Sequence, residues 1–92
     1  MKTIEKNVTI GAKWSNRDIN QLVDTLSKKT TSSLYITKDQ SRQIAMKSVI
    51  GLLSGNFREG DVVKISAMGE DEGKIAKDLK IAEEILLGDY NF

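Results

Sequence analysis

The first apolar residues of the chain alternate with polar ones. Residues 4–10 place apolar side chains on one parity, interrupted only by Lys6, and polar side chains on the other. A period of two is typical of a strand with one buried face, so residues 4–10 are predicted to form such a strand. Gly11 then ends the alternation.

After Gly11, the period of the apolar positions changes from two to about 3.6 residues. Ser15 and Asp18 form a capping box in which Asp replaces the usual Glu, and Lys28 and Lys29 stand where a helix favours positive charge. The sequence predicts an amphipathic helix between these signals. Its predicted buried stripe consists of Ile19, Leu22, Val23 and Leu26.

The middle of the chain predicts a polar loop, a hairpin and a further strand. Residues 30–33 are polar, and residues 34–37 and 42–46 are short strand-like runs that flank a turn over 38–41. The turn lacks the Asn-Gly or Asp-Gly pair that favours tight hairpins. Residues 62–68 form the strongest predicted strand.

Two further helices are predicted. A short helix over residues 48–53 is capped by Ser48, and a longer one begins in the acidic run 69–72 and ends at Gly88. Asp78 and the other charged residues of the longer helix are predicted to face solvent. Its predicted apolar face consists of Ile75, Leu79, Ala82 and Leu86, widened by Ile81 and Ile85.

The predicted order is β-α-β-β-α-β-α. It indicates the α+β class, with a four-stranded antiparallel sheet and helices on one face. Residues 1–88 are expected to form a single domain and residues 89–92 a C-terminal tail.

Composition narrows the chemistry. The 92 residues include no histidine, cysteine or proline, and 14 Lys and Arg against 13 Asp and Glu give a net charge of +1. Without histidine and cysteine the chain lacks the commonest general base, metal ligands and a thiolate, so an ordinary hydrolase or metalloenzyme is not expected, nor a metal or cofactor. The near-neutral charge disfavours direct nucleic-acid binding.

Membrane association is not expected either. No segment approaches the roughly 18 apolar residues of a membrane span. Residues 1–6 lack the apolar core of a signal peptide. A cytoplasmic location is therefore predicted.

Two strings of residues carry a family resemblance. Residues 47–54 read Lys-Ser-x-x-Gly-Leu-x-Ser, and residues 69–72 read Gly-Glu-Asp-Glu. At this separation, and with the predicted order of elements, they resemble the bacterial phosphocarrier HPr family over nearly the whole chain. The resemblance implies an HPr-like open-faced β-sandwich and a relation to the phosphoenolpyruvate-dependent sugar phosphotransferase system.

Residues 13–19 depart from the family pattern. That pattern is Gly-(Leu/Ile)-His-Ala-Arg-Pro-Ala, whereas this chain reads Lys-Trp-Ser-Asn-Arg-Asp-Ile. By the resemblance, Arg17 is retained, Ser15 replaces the phosphoryl-accepting histidine and Asp18 replaces the proline. Asp18 is expected to compete for the amides that would hold a phosphate and to pair with Arg17.

Ser15 and Arg17 each have two interpretations. A helix cap is favoured for Ser15 over a phosphate acceptor, since a serine phosphate is not a high-energy donor like phosphohistidine. Arg17 either contacts an acidic group or phosphate of a partner, or pairs with Asp18 or Asp24.

The resemblance identifies Ser48 with the serine that HPr kinase/phosphorylase modifies in HPr and in Crh, a family member that also lacks the histidine. A phosphate at this helix N-terminus would be favoured by the helix dipole and would add a surface charge. The alternative is an unmodified cap.

A partner-binding surface is also implied by the resemblance. Val49, Ile50 and Leu53 lie on a helix too short to bury them all, and the matching family positions dock enzyme I, transport domains and the regulator CcpA. Lys47 and Arg17 are predicted to belong to the same partner-binding surface. Trp14 either extends it or covers the end of the first helix.

The sequence therefore predicts a non-catalytic, degenerate or Crh-like member of the family. It would bind HPr kinase/phosphorylase, a CcpA-like regulator or other phosphotransferase-system proteins, with phosphorylation of Ser48 as a candidate switch. A second hypothesis is a structural module that forms a homodimer through Ile81, Ile85 and the aromatic tail, or by exchange of its first strand. A third, an enzyme with Ser15 as nucleophile, has no general base beyond Asp18 or a lysine.

Overall fold

The computed structural model describes residues 1–40 and 42–90. It contains the predicted elements in the predicted order, which confirms the β-α-β-β-α-β-α arrangement. The elements are β1 (Lys2–Thr9), α1 (Asn16–Lys29), β2 (Ser33–Lys38), β3 (Ile44–Ala45), α2 (Val49–Ser54), β4 (Val62–Gly69) and α3 (Glu72–Leu87).

The four strands form one antiparallel sheet in the order β1-β4-β2-β3. The core lies between this sheet and the helices, with α3 packed on β1 and β4 and α1 packed against α2 and α3. The α+β class and the helices on one face are thereby confirmed. Most of the opposite face of the sheet is open, which leaves β1 and β3 as its edges.

The core follows the predicted periodicities. Residues 63, 65 and 67 of β4 are buried, as are Ile19, Leu22 and Leu26 of α1, while Val23 is half-buried. The predicted stripe of α3 is also buried. These periods are reliable because each helix or strand has one face that must leave water.

Lys6, the charge that interrupts the apolar parity of β1, pairs with Glu83 of α3. Its neighbour in register is the fully buried Ile65, so Lys6 stands on the helix-facing side of the sheet. A charge that points inward on an edge strand disfavours pairing with a second sheet. Lys6 therefore remains compatible with the strand because α3 supplies the opposite charge.

The prediction that Asp78 faces solvent is wrong. Its side chain is 2% exposed and accepts hydrogen bonds from the loop between α1 and β2. Within that loop, Thr30 and Ser32 are buried rather than solvated. Periodicity along α3 carries no information about which loop packs over it, and this loop brings its own donors.

The hairpin differs from its prediction in two ways. The returning strand β3 contains only Ile44–Ala45 instead of residues 42–46. Asp39 and Gln40 take the left-handed conformation at φ 54° and 58°, which residues other than glycine adopt rarely and an Asn-Gly pair would adopt more easily. Ser41, assigned to this turn by the sequence, lies outside the described residues.

The last helix starts later than the acidic run suggests. Gly69 belongs to β4, and Asp71 is the N-cap, accepting from the Lys74 amide. Gly88 ends the helix at φ 86°, as predicted. Self-association through the face of α3 is not supported, because Ile85 is 2% exposed.

The C-terminal end of α3 is closed by the chain itself. The Gly11 amide donates to the Leu86 carbonyl, and a Cβ on Gly11 would overlap the carbonyl oxygen of Leu87. Ile81 and Tyr90 are partly buried against the core. Asn91 and Phe92 of the predicted aromatic tail lie outside the described residues.

Candidate functional site

Ser15 is the N-cap of α1 and is closed into a capping box. Its Oγ accepts from the Asp18 amide at 3.1 Å, and Asp18 Oδ2 accepts from the Ser15 amide at 2.9 Å. The predicted box is confirmed. A carboxylate therefore stands in the first turn of α1, where the positive end of the helix dipole would otherwise attract an external anion.

The expected pairing of Arg17 with Asp18 or Asp24 is wrong. Neighbouring helical residues do not face each other, Asp18 is engaged in the capping box, and Asp24 pairs with Lys28 at 3.1 Å. Over residues 1–40 and 42–90, Arg17 forms no ion pair. Its exposed guanidinium is accessible to a partner.

Trp14 lies beside the N-terminal end of α1. It is half-buried and packs against the core. It also lines an open cleft of about 410 Å³ with Phe57 and Arg58. Phe57 was not predicted from the sequence to be a site residue, because only the tertiary fold brings residues 57–59 to the N-terminal end of α1.

The ion pair of Lys38 and Asp61 holds the backbone of residues 56–58 beside this cleft. Asp61 accepts from the Arg58 amide at 2.8 Å and from Lys38 Nζ at 3.1 Å. The hydrogen bond from the Arg58 amide, followed by that from Lys38, lowers the pKa of Asp61. Lys38 also donates to the carbonyl of Asn56, the left-handed residue that precedes Phe57.

Ser48 is the N-cap of α2, as predicted. Its Oγ accepts from the Gly51 amide at 3.0 Å. A Cβ on Gly51 would lie 3.1 Å from that oxygen and 2.9 Å from Ile44, so glycine keeps the cap uncrowded. The hydroxyl is thus placed at a helix N-terminus, where added negative charge is favourable.

The apolar residues of α2 divide between core and surface. Leu52 is 2% exposed, whereas Ile50 is 81% and Leu53 43% exposed. Val49 is half-buried and packs against the core. We call Val49, Ile50 and Leu53 the α2 apolar patch.

The α2 apolar patch is connected to the N-terminal end of α1 through Phe57. A Cβ on Gly55, the C-cap of α2, would overlap the Phe57 ring, so the two are in close contact. Phe57 in turn shares its cleft with Trp14, the residue before Ser15. The structure thus joins the end of α2 to the start of α1 along one surface.

Lys47 is directed into the protein. Its Nζ donates to the Ser32 carbonyl at 3.0 Å and lies 3.3 Å from the Thr30 carbonyl. On the amide side of the same loop, Asp78 Oδ2 accepts from the Thr31 amide at 3.2 Å, the Ser32 amide at 3.0 Å and the Ser32 hydroxyl at 2.6 Å. Lys47 and Asp78 therefore hold residues 30–32 from two sides, an arrangement that we call the clamp. Lys47 also fixes the chain just before Ser48.

Burial raises the pKa of the Asp78 carboxyl, but hydrogen bonds from Ser32 and Thr31, with the nearby charge of Lys74, together lower it below the ordinary value. Asp78 is therefore ionised at neutral pH. Sequence patterns do not indicate this arrangement of Lys47, Asp78 and the loop, because its three parts are separated by 15 to 47 residues.

Over the described ranges, no group of three or more acidic side chains is arranged to hold a metal ion. None of the helices in this part of the chain has the length and apolar character needed to cross a membrane.

Comparisons with known proteins find matches over most of the chain. A family model described as the PTS HPr component phosphorylation site matches residues 4–83. HPr-C-His from Thermoanaerobacter tengcongensis is 30% identical to this chain, with a TM-score of 0.65. The alignment covers 99% of this chain and 100% of that one. No curated protein sequence matches significantly.

Two further solved structures show the shared fold. The phosphocarrier protein HPr from Bacillus anthracis str. Ames has a TM-score of 0.78 at 20% identity, covering 91% of this chain and 96% of its own. Crh, the Bacillus subtilis catabolite repression protein, has a TM-score of 0.65 at 21% identity and 92% coverage of both chains. Its structure is a dimer with a swapped domain.

Proposed function

The chain belongs to the HPr family of the phosphotransferase system, and we propose that it is a regulatory member that binds other proteins and carries no phosphohistidine. The observation that carries this proposal is the closed capping box at Ser15 and Asp18. It occupies the position where the family accepts its phosphoryl group. We place this activity in the cytoplasm, where the phosphoenolpyruvate-dependent enzymes of the system act.

Loss of the carrier reaction follows from the residues at this position. The chain has no histidine, and a phosphate ester on Ser15 would not be a high-energy donor. Asp18 also adds a fixed negative charge beside the Ser15 hydroxyl, and like charges at this distance repel. The remaining capacity of the site is to bind partners rather than to transfer a group.

The surface for such binding combines apolar and cationic groups. Ile50 and Leu53 expose apolar area that the core does not use, and exposed apolar clusters mark interaction sites. Trp14 and the exposed charge of Arg17 continue this surface at the start of α1. Lys47 contributes indirectly, by holding the chain before Ser48.

Labelling with radioactive phosphoenolpyruvate and enzyme I tests the loss of carrier activity. A histidine-containing HPr serves as the positive control in the same reaction. We expect no acid-labile phosphate on this chain. Acid-labile label in stoichiometric amount would overturn the proposal.

Binding through the α2 apolar patch is tested by paired charge substitutions. Ile50→Glu should weaken binding to enzyme I, HPr kinase/phosphorylase, a CcpA-like regulator or another phosphotransferase-system protein by about tenfold or more, as expected for an interface anchor. Val62→Glu is the matched control, since Val62 is 61% exposed and lies on the sheet. Equal effects of the two substitutions would contradict docking through the patch.

The proposed switch is phosphorylation of Ser48. Incubation with HPr kinase/phosphorylase and ATP, followed by mass spectrometry, should locate one phosphoryl group on Ser48. Ser48→Ala should abolish it, whereas Ser54→Ala, an exposed serine of the same helix, should not. An unmodified Ser48 would leave constitutive binding as the function and remove the switch.

Self-association by exchange of β1 is a second candidate, favoured by the swapped dimer of Crh. β1 is an edge strand that pairs with β4 alone, from Lys2↔Gly69 to Thr9↔Val62. An exchanged strand would preserve this register and the contact of Lys6 with Glu83. Sedimentation at several concentrations tests it, because a strict monomer at all of them would exclude the exchange.

A further inference from the structure

A second cleft lies away from the site described above, between the C-terminal end of α1 and the N-terminal part of α3. Its volume is about 460 Å³, and four of its lining residues are lysines. We call it the lysine cleft, and its lysines are Lys28, Lys29, Lys74 and Lys77. Because α1 has 14 residues, the cleft lies about 20 Å from Ser15, the length of that helix.

Most of the positive charge in the lysine cleft is unneutralised. Lys28 pairs with Asp24 at 3.1 Å, but Lys29, Lys74 and Lys77 form no ion pair within the part of the chain that the structure describes. Three cationic groups thus border one concave surface without an ion pair in this part of the chain, and Lys74 also lies near the charge of Asp78.

The two acidic residues that line the cleft are engaged by other groups. Asp71 Oδ1 accepts from the Lys74 amide as the cap of α3. Asp78 is 2% exposed and directs Oδ2 at Thr31 and Ser32. Neither carboxylate closes an ion pair with a lysine of the cleft.

Helix stability does not account for the placement of Lys74. The residue lies in the first turn of α3, where the helix dipole disfavours a cation. Lys28 and Lys29, at the end of α1, do have the dipole as a structural reason. Its exposed ammonium lies near the charge of Asp78, four residues on, and remains open to a negatively charged group from outside.

The glycine at position 73 also suits the approach of a ligand to the cleft. A Cβ there would meet only Asp71 Oδ1 at 3.4 Å, an ordinary contact, so packing does not require glycine. Glycine inside a helix is less stable than alanine. Its bare backbone instead leaves the wall of the cleft open to close approach by a ligand.

We propose that the lysine cleft binds a small polyanion that carries two phosphate groups. Its volume lies in the range of small-molecule sites, about 300–1,000 Å³, and its concave shape suits a compact ligand better than a protein surface. Two phosphate groups carry about three to four negative charges near neutral pH, enough to pair with Lys29, Lys74 and Lys77, the cleft lysines without an ion pair in the described residues. This binding is independent of docking through α2.

A titration of the full chain with inorganic pyrophosphate, followed by amide NMR shifts, tests the proposal. We expect saturable shifts that concentrate at residues 28–31 and 71–78, with inorganic phosphate binding more weakly. Shifts that grow linearly without saturation, or that spread over all lysines, would overturn it. An acidic hexapeptide that binds the cleft more tightly than pyrophosphate would also overturn it, in favour of a protein partner.

Charge-neutral variants localise the binding. Lys74→Gln and Lys77→Gln should each weaken pyrophosphate binding about fivefold, the effect of one exposed charge pair, and together should weaken it further. Lys80→Gln, an exposed lysine of the same helix outside the cleft, is the matched control. Because these side chains are exposed, circular dichroism should show an unchanged fold, and unchanged affinity in the double variant would refute the site.

Discussion

Replacement of Asp78 by alanine is expected to loosen the contact between α3 and the loop that precedes β2. The carboxylate accepts the amides of Thr31 and Ser32 and the Ser32 hydroxyl. Alanine removes this acceptor, and the donors of the buried Ser32 would be left without a partner inside the protein. Loss of the clamp would also weaken the support that Lys47 receives from the same loop.

The expected magnitude follows from the bonds that are lost. A hydrogen bond to a charged group contributes about 1.5–3 kcal/mol, and a buried donor without a partner costs about 1–3 kcal/mol. The desolvation of the carboxylate, which alanine relieves, offsets part of this loss. We expect Asp78→Ala to lower the free energy of unfolding by about 3 kcal/mol, a large part of the roughly 5–15 kcal/mol typical of a domain.

Urea denaturation followed by far-UV circular dichroism measures this change. Lys80→Ala is the matched control on the same helix and should change the free energy by less than about 0.5 kcal/mol. A Ser32→Ala variant completes a double-mutant cycle, which should show a coupling of about 1–2 kcal/mol between the two side chains. If Asp78→Ala were no more destabilising than Lys80→Ala, the clamp would not be a source of stability.

The pH dependence gives an independent measurement. The pKa of Asp78 is lowered in the folded protein, so its ionisation stabilises the fold above the unfolded-state pKa of about 3.9. That stabilisation is lost as the pH falls below this value and through the lower folded-state pKa. The stability difference between the wild-type protein and Asp78→Asn should therefore narrow below about pH 4, and a constant difference from pH 7 to pH 2 would refute the assignment.

Four further substitutions test local features of the fold. Gly11→Ala should destabilise the protein by about 1–3 kcal/mol in thermal denaturation, since its Cβ would overlap the Leu87 carbonyl oxygen; unchanged stability would contradict this close approach. Ser15→Ala should cost about 1 kcal/mol by loss of the α1 cap, measured by urea denaturation, and a neutral effect would argue against the capping box. Leu52→Ala should cost about 2–5 kcal/mol, whereas Ile50→Ala should stay within about 0.5 kcal/mol, and the reverse order would mean that α2 presents the opposite face.

Much of the fold could be predicted because its signals are local. The capping box before α1, the apolar period of α3 and the glycine at its end each involve residues within one or two turns of each other. The resemblance to the HPr family likewise depends on short contiguous strings and is confirmed by the family match over residues 4–83. The hairpin was predicted less well, because only two residues of β3 pair with β2.

The candidate site was predictable in part. Ser15 and Ser48 were identified as caps from their neighbours, and both form the expected hydrogen bonds. The expected pairing of Arg17 with Asp18 was wrong, since the capping box takes the carboxylate. The division of α2 into core and surface residues became definite only with Leu52 and Ile50 placed against the rest of the protein.

By itself, the sequence determined the order of elements, the family and the absence of histidine. Those features depend on periodicity, composition and short strings, which are complete in the chain before it folds. Only the tertiary structure decided that Asp78 is buried, that Lys47 points at a loop, and that four lysines from two helices share one cleft. The physical reason is that each of these features joins groups far apart in the sequence, and their energies arise only when packing brings them within hydrogen-bonding or Coulombic distance.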